Sequence, residues 1–420
     1  MVLGDDMRAI IDDYKTFFKD ISSNMILYLG IILFATIISS AYNILFGIYM
    51  KEIGYNEEFV GRILSLQTIG VALGAVPVAI ISDRLNKKKT LILGLVVMMF
   101  SSFMILNVHL NFAMELFAIV FGIGHATVMV LQAPIIYENT PDEHRVTAFS
   151  LAFVFQNLAF VFGSMVLGHL SEFLSGRYGA GTGKLMVLNG STVLVAIAII
   201  IAFKFKGSQM TTSNRNDSVI KALGNVLSGY RRLLRGDTLK YLTQVGLVGL
   251  GAGMIVPFFS MYLKYTLDAS DGVVGNIMAI SQVGTVLGGL IVPPLAKRMG
   301  PVNTVIACQL LSIPFLISIS FPQGIYIITL SFFFRSSLMN MANPILGSMA
   351  MEITEDDTRT FMSSMISLVN NLFRSVGIYT GGYLMFKYSY NTPYYFTILC
   401  YLIGTFILYK VFGGKKKAVA

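Results

Sequence analysis

The chain is poor in charge. Asp, Glu, Lys and Arg make up only 13% of its 420 residues, while 55% are hydrophobic. Because a soluble domain averages about 25% charged residues, this composition excludes an ordinary soluble globular protein. Long apolar runs take the place of a charged surface, and those at 25–50, 91–108, 185–203 and 394–412 could each cross a hydrocarbon core of about 30 Å. The sequence therefore predicts a multi-pass membrane protein.

Cysteine is almost absent as well. Cys308 and Cys400 lie in different apolar segments, and two isolated thiols predict neither a disulfide framework nor a metal site. Recognisable enzyme motifs are missing too. Residues 179–184 have part of the spacing of a phosphate-binding loop, but Tyr178 and Leu185 replace its first glycine and its final Ser or Thr. We therefore expect no enzyme activity and no cofactor.

The charges that are present are strongly biased to one side of the membrane. We predict twelve spans, at residues 24–50, 57–82, 90–109, 112–138, 145–171, 185–205, 238–266, 273–296, 302–321, 325–352, 359–387 and 393–412. With the N-terminus inside, 23 Lys and Arg fall on the inner side and six on the outer side. Cytoplasmic loops carry such an excess, so we expect a protein of the cell (plasma or inner) membrane with both termini in the cytoplasm. The net charge of +9 is then an orientation signal, and no nucleic-acid partner is expected.

The chain nearly repeats itself at an offset of 214 residues. Residues 138–145 read Glu-Asn-Thr-Pro-Asp-Glu-His-Arg, and residues 352–359 read Glu-Ile-Thr-Glu-Asp-Asp-Thr-Arg. The same offset matches the Gly-x-x-x-Gly spacing at 70–74 to that at 284–288, a spacing that lets membrane helices pack closely. Two related halves that enter the membrane from the same side predict an all-α fold of two pseudo-symmetric six-helix bundles, with a site between them.

This repeat divides the chain into five parts. We predict a cytoplasmic amphipathic segment at 1–23, a six-helix domain at 24–205, a cytoplasmic linker at 206–237, a second six-helix domain at 238–412 and a cytoplasmic tail at 413–420. In the first segment, apolar residues recur at helical spacing among acidic ones. That pattern predicts a short helix lying at the membrane interface rather than a cleaved signal.

The loop after the second span carries a family motif. Residues 79–88 read Ala-Ile-Ile-Ser-Asp-Arg-Leu-Asn-Lys-Lys, which keeps the charges of the pattern Gly-x-x-x-Asp-Arg-x-Gly-Arg-Arg but replaces both glycines. Together with the twelve spans and the repeat, this motif means that nearly the whole chain resembles the major facilitator superfamily. The resemblance implies secondary transport by alternating access. It also implies that spans one, four, seven and ten line a central cavity, flanked by spans two, five, eight and eleven.

The resemblance further implies a latch on the cytoplasmic side. It places the acid of the motif near the N-terminus of span eleven, where the helix dipole favours a carboxylate. Acidic and basic residues also recur in both halves at the short loops that join spans four to five and ten to eleven. The latch candidates are Asp83, Arg84, Glu138, Arg145, Glu352 and Arg359. The alternative is a set of solvated charges that only fix the topology.

Two arginines lie inside predicted spans, Arg335 in span ten and Arg374 in span eleven. An arginine at the bilayer centre costs about 2.5–3.5 kcal/mol, so each needs a partner, yet the carboxylates near the spans sit at their ends. Either an anionic group arrives with the substrate, or carbonyl and amide groups of the protein satisfy both arginines. At the offset of 214 residues the arginines correspond to Phe121 and Phe160, so this buried charge belongs to one half alone.

Polar and aromatic residues of the lining and flanking spans complete a candidate substrate site. Besides the two arginines, its members are Asn43, His125, Gln132, Tyr262, Gln282, Met339, Asn343 and Asn371. Interhelical hydrogen bonding is an alternative role for each amide. A central carboxylate is missing from spans one and four, which leaves Glu115 and His125 as the candidates for proton coupling.

These features predict a monomeric secondary transporter with membrane lipids and a small-molecule substrate as its partners. We expect it to move an amphipathic, anionic organic solute across the cell membrane by export or exchange. One alternative is a proton-coupled drug exporter of broad range, in which the arginines are structural. Another is a solute sensor on a transporter fold, which binds its ligand without moving it.

Overall fold

The structure is a computed structural model that describes residues 21–206, 224, 228–321, 323–355 and 358–413. Within these ranges, only the backbone is described at 83–85, 146 and 360. The interfacial helix predicted at the N-terminus, most of the linker between the halves and nearly all of the C-terminal tail lie outside the described residues.

Twelve long helices make up the described part of the chain, which contains no strand. They are α1 (Ser23–Glu52), α2 (Glu57–Leu85), α3 (Lys87–Asn107), α4 (Asn111–Glu138), α5 (Arg145–Tyr178), α6 (Ala180–Lys204), α7 (Gly236–Thr266), α8 (Asp271–Met299), α9 (Pro301–Ser320), α10 (Ile325–Glu352), α11 (Arg359–Lys387) and α12 (Thr392–Phe412). Eleven are long and apolar enough to cross a membrane. The exception, α11, has a spanning length of 29 residues but carries two asparagines and Arg374 near its middle. The predicted all-α fold is confirmed.

Three of the helices are interrupted roughly two-thirds of the way along their length. α1 contains a π-helical turn at Tyr42–Phe46, and α7 contains a 3₁₀ turn at Val256–Phe258, so both interruptions begin at positions related by the 214-residue offset. α10 breaks at Ala342, just before Asn343 and a proline that cannot donate a backbone hydrogen bond. In membrane carriers such interrupted helices are where backbone and side chains are available to a ligand.

Within each half, small residues bring helix backbones into contact. A Cβ atom added to Gly70 of α2 would lie 2.2 Å from the carbonyl oxygen of Ile119 in α4. A Cβ atom on Gly377 of α11 would lie 2.1 Å from the carbonyl oxygen of Leu250 in α7. No side chain fits at such distances, so these glycines are required by close packing, as the Gly-x-x-x-Gly spacings predict.

The two halves, α1–α6 and α7–α12, meet along two seams. Since successive helices alternate in direction, both described ends of the chain lie at one end of the bundle, which we call the termini face, and the opposite end is the far face. α2 packs on α11 in one seam, and α5 packs on α8 in the other. A Cβ atom on Gly61 would lie 3.1 Å from the Cα of Gly382, and one on Gly168 would lie 3.0 Å from the Cα of Gly275. The four glycines form two pairs at the 214-residue offset, so the seams are related by the pseudo-symmetry.

Candidate functional site

A cavity of about 390 Å³ lies between the halves near the middle of the bundle. Its wall consists of Asn43, Phe160, Val248, Gly249, Ala252, Val256, Phe259, Met278, Ser281, Gln282, Thr285, Arg335, Ser336, Met339, Asn340, Asn343, Asn370, Arg374 and Tyr401. Each interrupted helix contributes to the wall from its break: Asn43 from α1, Val256 from α7 and Asn343 from α10. Only Asn43 and Phe160 come from the first half, so the cavity belongs mainly to the second half.

Arg335 is the most deeply buried charge of the cavity. Its side chain is 5% exposed, and its Nη2 donates a 3.1 Å hydrogen bond to the hydroxyl of Tyr401. The guanidinium carbon lies 5.1 Å from the centre of the Phe259 ring, within the range of a cation–π interaction. The Nε atom has no hydrogen-bond partner among the described residues. Arg335 thus lines the cavity with a charge that no described carboxylate of the wall pairs.

Arg374 reaches the same cavity from α11. Its side chain is half-buried, and the described residues show no hydrogen bond from its guanidinium group. No Asp or Glu of the described chain lines the cavity. Two cations thus share one cavity without a carboxylate among its described wall residues, an arrangement that favours an anionic ligand.

The amides of the cavity fall into two groups. Asn340 donates hydrogen bonds to the backbone oxygen of Ser336 (2.9 Å) and to Thr285 Oγ1 (3.2 Å), and Gln282 donates across the halves to Asn157. The side chains of Asn43, Asn343 and Asn370 show no hydrogen bond to any described residue. The first group fixes the wall, and the second faces the cavity.

Four of the residues predicted for the substrate site stand outside the cavity wall. Asn371 donates a 2.9 Å hydrogen bond to Ser367 of its own helix, and Tyr262 is fully buried with its hydroxyl bonded to the backbone of α9. His125 lies beside the Phe121 ring, 6.3 Å between centroids, and Gln132 lies half-buried on α4. The structure brings the other six together: Arg335, Arg374, Asn43, Gln282, Met339 and Asn343.

Asn340, Asn370 and Tyr401 line the cavity but are not among the candidates that the sequence suggests. Asn370 and Arg374 are four residues apart on α11, so they share a face as closely as the predicted pair of Asn371 and Arg374 does. Asn340 and Asn343 are three residues apart on α10, on either side of the break at Ala342, so they also share a face. The spacings of Asn370 and Asn340 could have been read from the sequence, whereas no spacing points to Tyr401.

The α5/α8 seam carries a buried charge cluster at the far face. Lys184 of the first half lies 2.9 Å from Asp271 Oδ2 of the second, and both side chains are at most 3% exposed. Lys264 lies 3.1 Å from Asp271 Oδ1, and Ser171 Oγ donates to Oδ2 over 2.7 Å. Lys184 ends the glycine-rich segment 179–184, whose tight turn against α5 delivers it to the seam. The segment serves an ion pair between the halves.

The α2/α11 seam carries the corresponding acid, Glu57, at the 214-residue offset from Asp271. Glu57 accepts hydrogen bonds from Lys51 and from the hydroxyl of Tyr390, and Lys51 Nζ also donates to that hydroxyl over 2.8 Å. Lys51 and Glu57 belong to the first half, and Tyr390 belongs to the second. These two clusters join the halves at the far face, and the cavity lies on their termini side.

The sequence matches the model of the Major Facilitator Superfamily over residues 27–238 and 241–418, which is nearly its full length. The chain belongs to this superfamily. No curated protein matches it significantly.

Solved structures of superfamily transporters share the fold. A variant of the nucleoside transporter NupG is 16% identical, with a TM-score of 0.80 over 93% of this chain and 100% of that one. A bacterial homologue of the human lysosomal transporter Spinster is 13% identical, with a TM-score of 0.70 over 94% and 98% of the two chains. The xylose transporter XylE from E. coli is also 13% identical, with a TM-score of 0.68 over 94% and 98%. At these identities the likeness is one of fold.

The latch that the superfamily resemblance implies is only partly described. Glu138 pairs with Lys87, whereas Arg145 lies 2.7 Å from Asp142 and 3.4 Å from the centre of the Tyr137 ring. The 3₁₀ turn before α5 puts Asp142 within one turn of Arg145. In the second half, Arg359 Nε donates to a backbone oxygen over 3.4 Å, and Glu352 is exposed. The side chains of Asp83 and Arg84 lie outside the described residues.

Proposed function

We propose that this chain is a secondary transporter that carries an organic anion through the cavity by alternating access. The observation that supports this most directly is the pairing of Arg335 and Arg374 in one cavity whose described wall contains no carboxylate. A buried charge is stable when it is paired, and an anionic solute supplies the pairing that the described wall lacks. A neutral or cationic solute would leave both guanidinium groups uncompensated.

The same electrostatics favours exchange. With an empty cavity, the reorienting carrier holds two uncompensated cations near the bilayer centre, where each costs about 2.5–3.5 kcal/mol even on lenient scales. A bound anion lowers that barrier. We therefore propose that one anion leaves as another enters, with export as the direction in the cell and no obligatory proton. In support, Glu115 is held by Arg62 at 3.1 Å, and neither Glu115 nor His125 lines the cavity.

The architecture supports alternating access. Two seams related by pseudo-symmetry permit the halves to rock about the cavity, and the far-face clusters around Asp271 and Glu57 hold one mouth shut. We propose that the far face is the outer one and that the termini face is cytoplasmic, because the termini face carries the excess of Lys and Arg. The proposed location is the plasma or inner membrane.

The proposal is tested by counterflow into proteoliposomes with small organic anions, neutral solutes and cations of similar size. We expect uptake of an anion into vesicles preloaded with an anion, little uptake into empty vesicles and no effect of a pH gradient. Transport of a cation or a neutral solute that survives Arg335→Gln would overturn the anion proposal. Binding without flux of any class would favour a sensor, and flux driven by a pH gradient would favour the proton-coupled exporter.

A further inference from the structure

Three side-chain amides of the cavity have no hydrogen-bond partner among the described residues. Their positions indicate which uncharged groups the solute carries, which the arginines alone do not. Asn43 projects from the π-helical turn of α1, Asn343 from the break of α10 and Asn370 from the polar stretch of α11. The described residues show no hydrogen bond to any of these three side chains. Other polar groups of the wall are engaged, such as Ser281 with Ser336 over 2.5 Å. The open amides come from three different helices and meet at one cavity.

When a ligand fills the cavity and displaces water, each amide that it leaves without a partner costs free energy, so the cavity favours ligands that satisfy these amides. Each amide has an oxygen that accepts and a nitrogen that donates hydrogen bonds. A hydroxyl group both donates and accepts, so it can pair with either end. An apolar body would leave all three amides unsatisfied, and an ammonium group would leave their donors unsatisfied.

The amides stand next to the anion-binding groups. Asn370 lies one turn from Arg374 on α11, about 6 Å along the helix axis. A solute with its acidic group at the arginines therefore places its next few atoms beside Asn370. Phe160, Met278 and Met339 supply apolar wall that can contact the C–H face of a small ring. The cavity volume of about 390 Å³ falls in the range of small-molecule sites and suits a ring of this kind.

We infer that the solute is a polyhydroxylated organic acid, of the size and chemistry of an acidic monosaccharide. Its acidic oxygens bind Arg335 and Arg374, and its hydroxyl groups bind Asn43, Asn343 and Asn370. This inference rests on the proposed anion transport and narrows the amphipathic solute that the sequence predicts. The second half supplies both arginines and two of the three amides, so it holds the solute while the first half contributes Asn43.

Isothermal titration calorimetry on the purified full-length protein can separate charge from hydroxyl content. Glucuronate, glucose 6-phosphate, glucose and glucosamine vary the charge on one hydroxylated ring, and cyclohexanecarboxylate keeps the charge but removes the hydroxyls. We expect either acidic sugar to bind on the order of 100-fold more tightly than cyclohexanecarboxylate, since three hydrogen bonds are gained. Tighter binding of glucuronate would indicate a carboxylate site, and tighter binding of glucose 6-phosphate would indicate a phosphate site.

The variant Asn370→Ala should weaken the binding of the acidic sugar about three- to tenfold and leave the affinity for cyclohexanecarboxylate unchanged. The matched control is Asn303→Ala, which removes an exposed amide that donates to the backbone oxygen of Met299 and should change neither affinity. Equal affinity for the acidic sugars and cyclohexanecarboxylate would overturn this inference and leave anion transport standing. Equal affinity for glucose and glucuronate would overturn anion transport instead. Absence of binding by both acidic sugars would also overturn the inference.

Discussion

The two halves of this transporter share their frame but not their cavity chemistry. At the 214-residue offset, Arg335 and Arg374 of the second half stand where the first half has Phe121 and Phe160. Phe121 stacks on Tyr42, 5.2 Å between ring centroids, whereas Arg335 reaches the cavity and Tyr401. At this position the first half thus has a ring that packs on another ring, and the second half has a charged side chain that lines the cavity.

The seams show the opposite tendency. The glycines at 61 and 275 and those at 168 and 382 keep the backbone contacts of both seams, and Glu57 and Asp271 keep an acid at the same place. Under the proposed function, the difference between cavity and seams means that both halves share the movement, while one half supplies most of the solute recognition. Each prediction that follows tests one side of this contrast.

The largest effect is expected from Arg335→Gln. The substitution removes a charge that is 5% exposed, and hydrogen bonds to charged groups contribute about 1.5–3 kcal/mol each, so anion affinity and uptake should fall about 100-fold or more. Calorimetry and counterflow measure the two quantities. Arg177→Gln, which removes an exposed arginine at the far face, should leave both unchanged. If the Arg335→Gln variant kept its affinity for the anion, the arginines of the second half would not be the groups that bind it.

Lys184→Met should produce the next largest effect, on conformation rather than on affinity. Asp271 keeps Lys264 in its own half but loses the lysine that crosses the α5/α8 seam. The loss of a charge-assisted bond of about 1.5–3 kcal/mol should shift the population roughly 10- to 100-fold toward states with the far face open. Spin-label distances across the far face report this shift. Lys240→Met removes an exposed pair within one half and is the control.

Tyr390→Phe should produce the same kind of shift at the other seam, but a smaller one. Burial, and after it the hydrogen bond to Glu57, raise the pKa of Tyr390 well above its ordinary value, so the phenol remains a neutral donor. This bond is charge-assisted too, but its cluster is wetter, since Lys51 is 32% exposed, so we expect a shift of about tenfold, at the lower end of the range for Lys184→Met. The same spin-label distances measure it. A shift as large as that of Lys184→Met would contradict the idea that the seams differ in strength.

Much of the frame could be predicted from the sequence because it depends on local patterns. Apolar runs predict the helices, glycine spacings predict the close packing, and the scarcity of charge makes Arg335 and Arg374 conspicuous in their spans. These features require no knowledge of which helix is the neighbour of which.

The details that depend on helix rotation and on distant contacts could not be predicted. Asn370 and Asn371 are adjacent, and neighbouring residues on a helix point about 100° apart, so the choice between them needs the packing of α11 on α7. Tyr401 is one of many tyrosines in the chain, and no spacing relates it to Arg335. The ion pair of Lys184 and Asp271 joins the N-terminal ends of α6 and α8, which belong to different halves and are far apart in the sequence. The glycine-rich sequence around Lys184 matches a phosphate-binding loop only in part and gives no sign of this contact.

The smallest functional effect is expected where the first half keeps an aromatic ring in place of an arginine. Phe121 is buried, 7% exposed, and packs on Tyr42 and beside His125. Because Phe121 does not line the cavity, Phe121→Leu should change anion affinity less than twofold. The lost ring contacts should lower the free energy of unfolding by about 0.5–1.5 kcal/mol, detectable as a lower midpoint of thermal unfolding in detergent. Loss of anion binding comparable to that of Arg335→Gln, in protein that remains folded, would mean that the two positions share a role and that recognition is as symmetric as the seams.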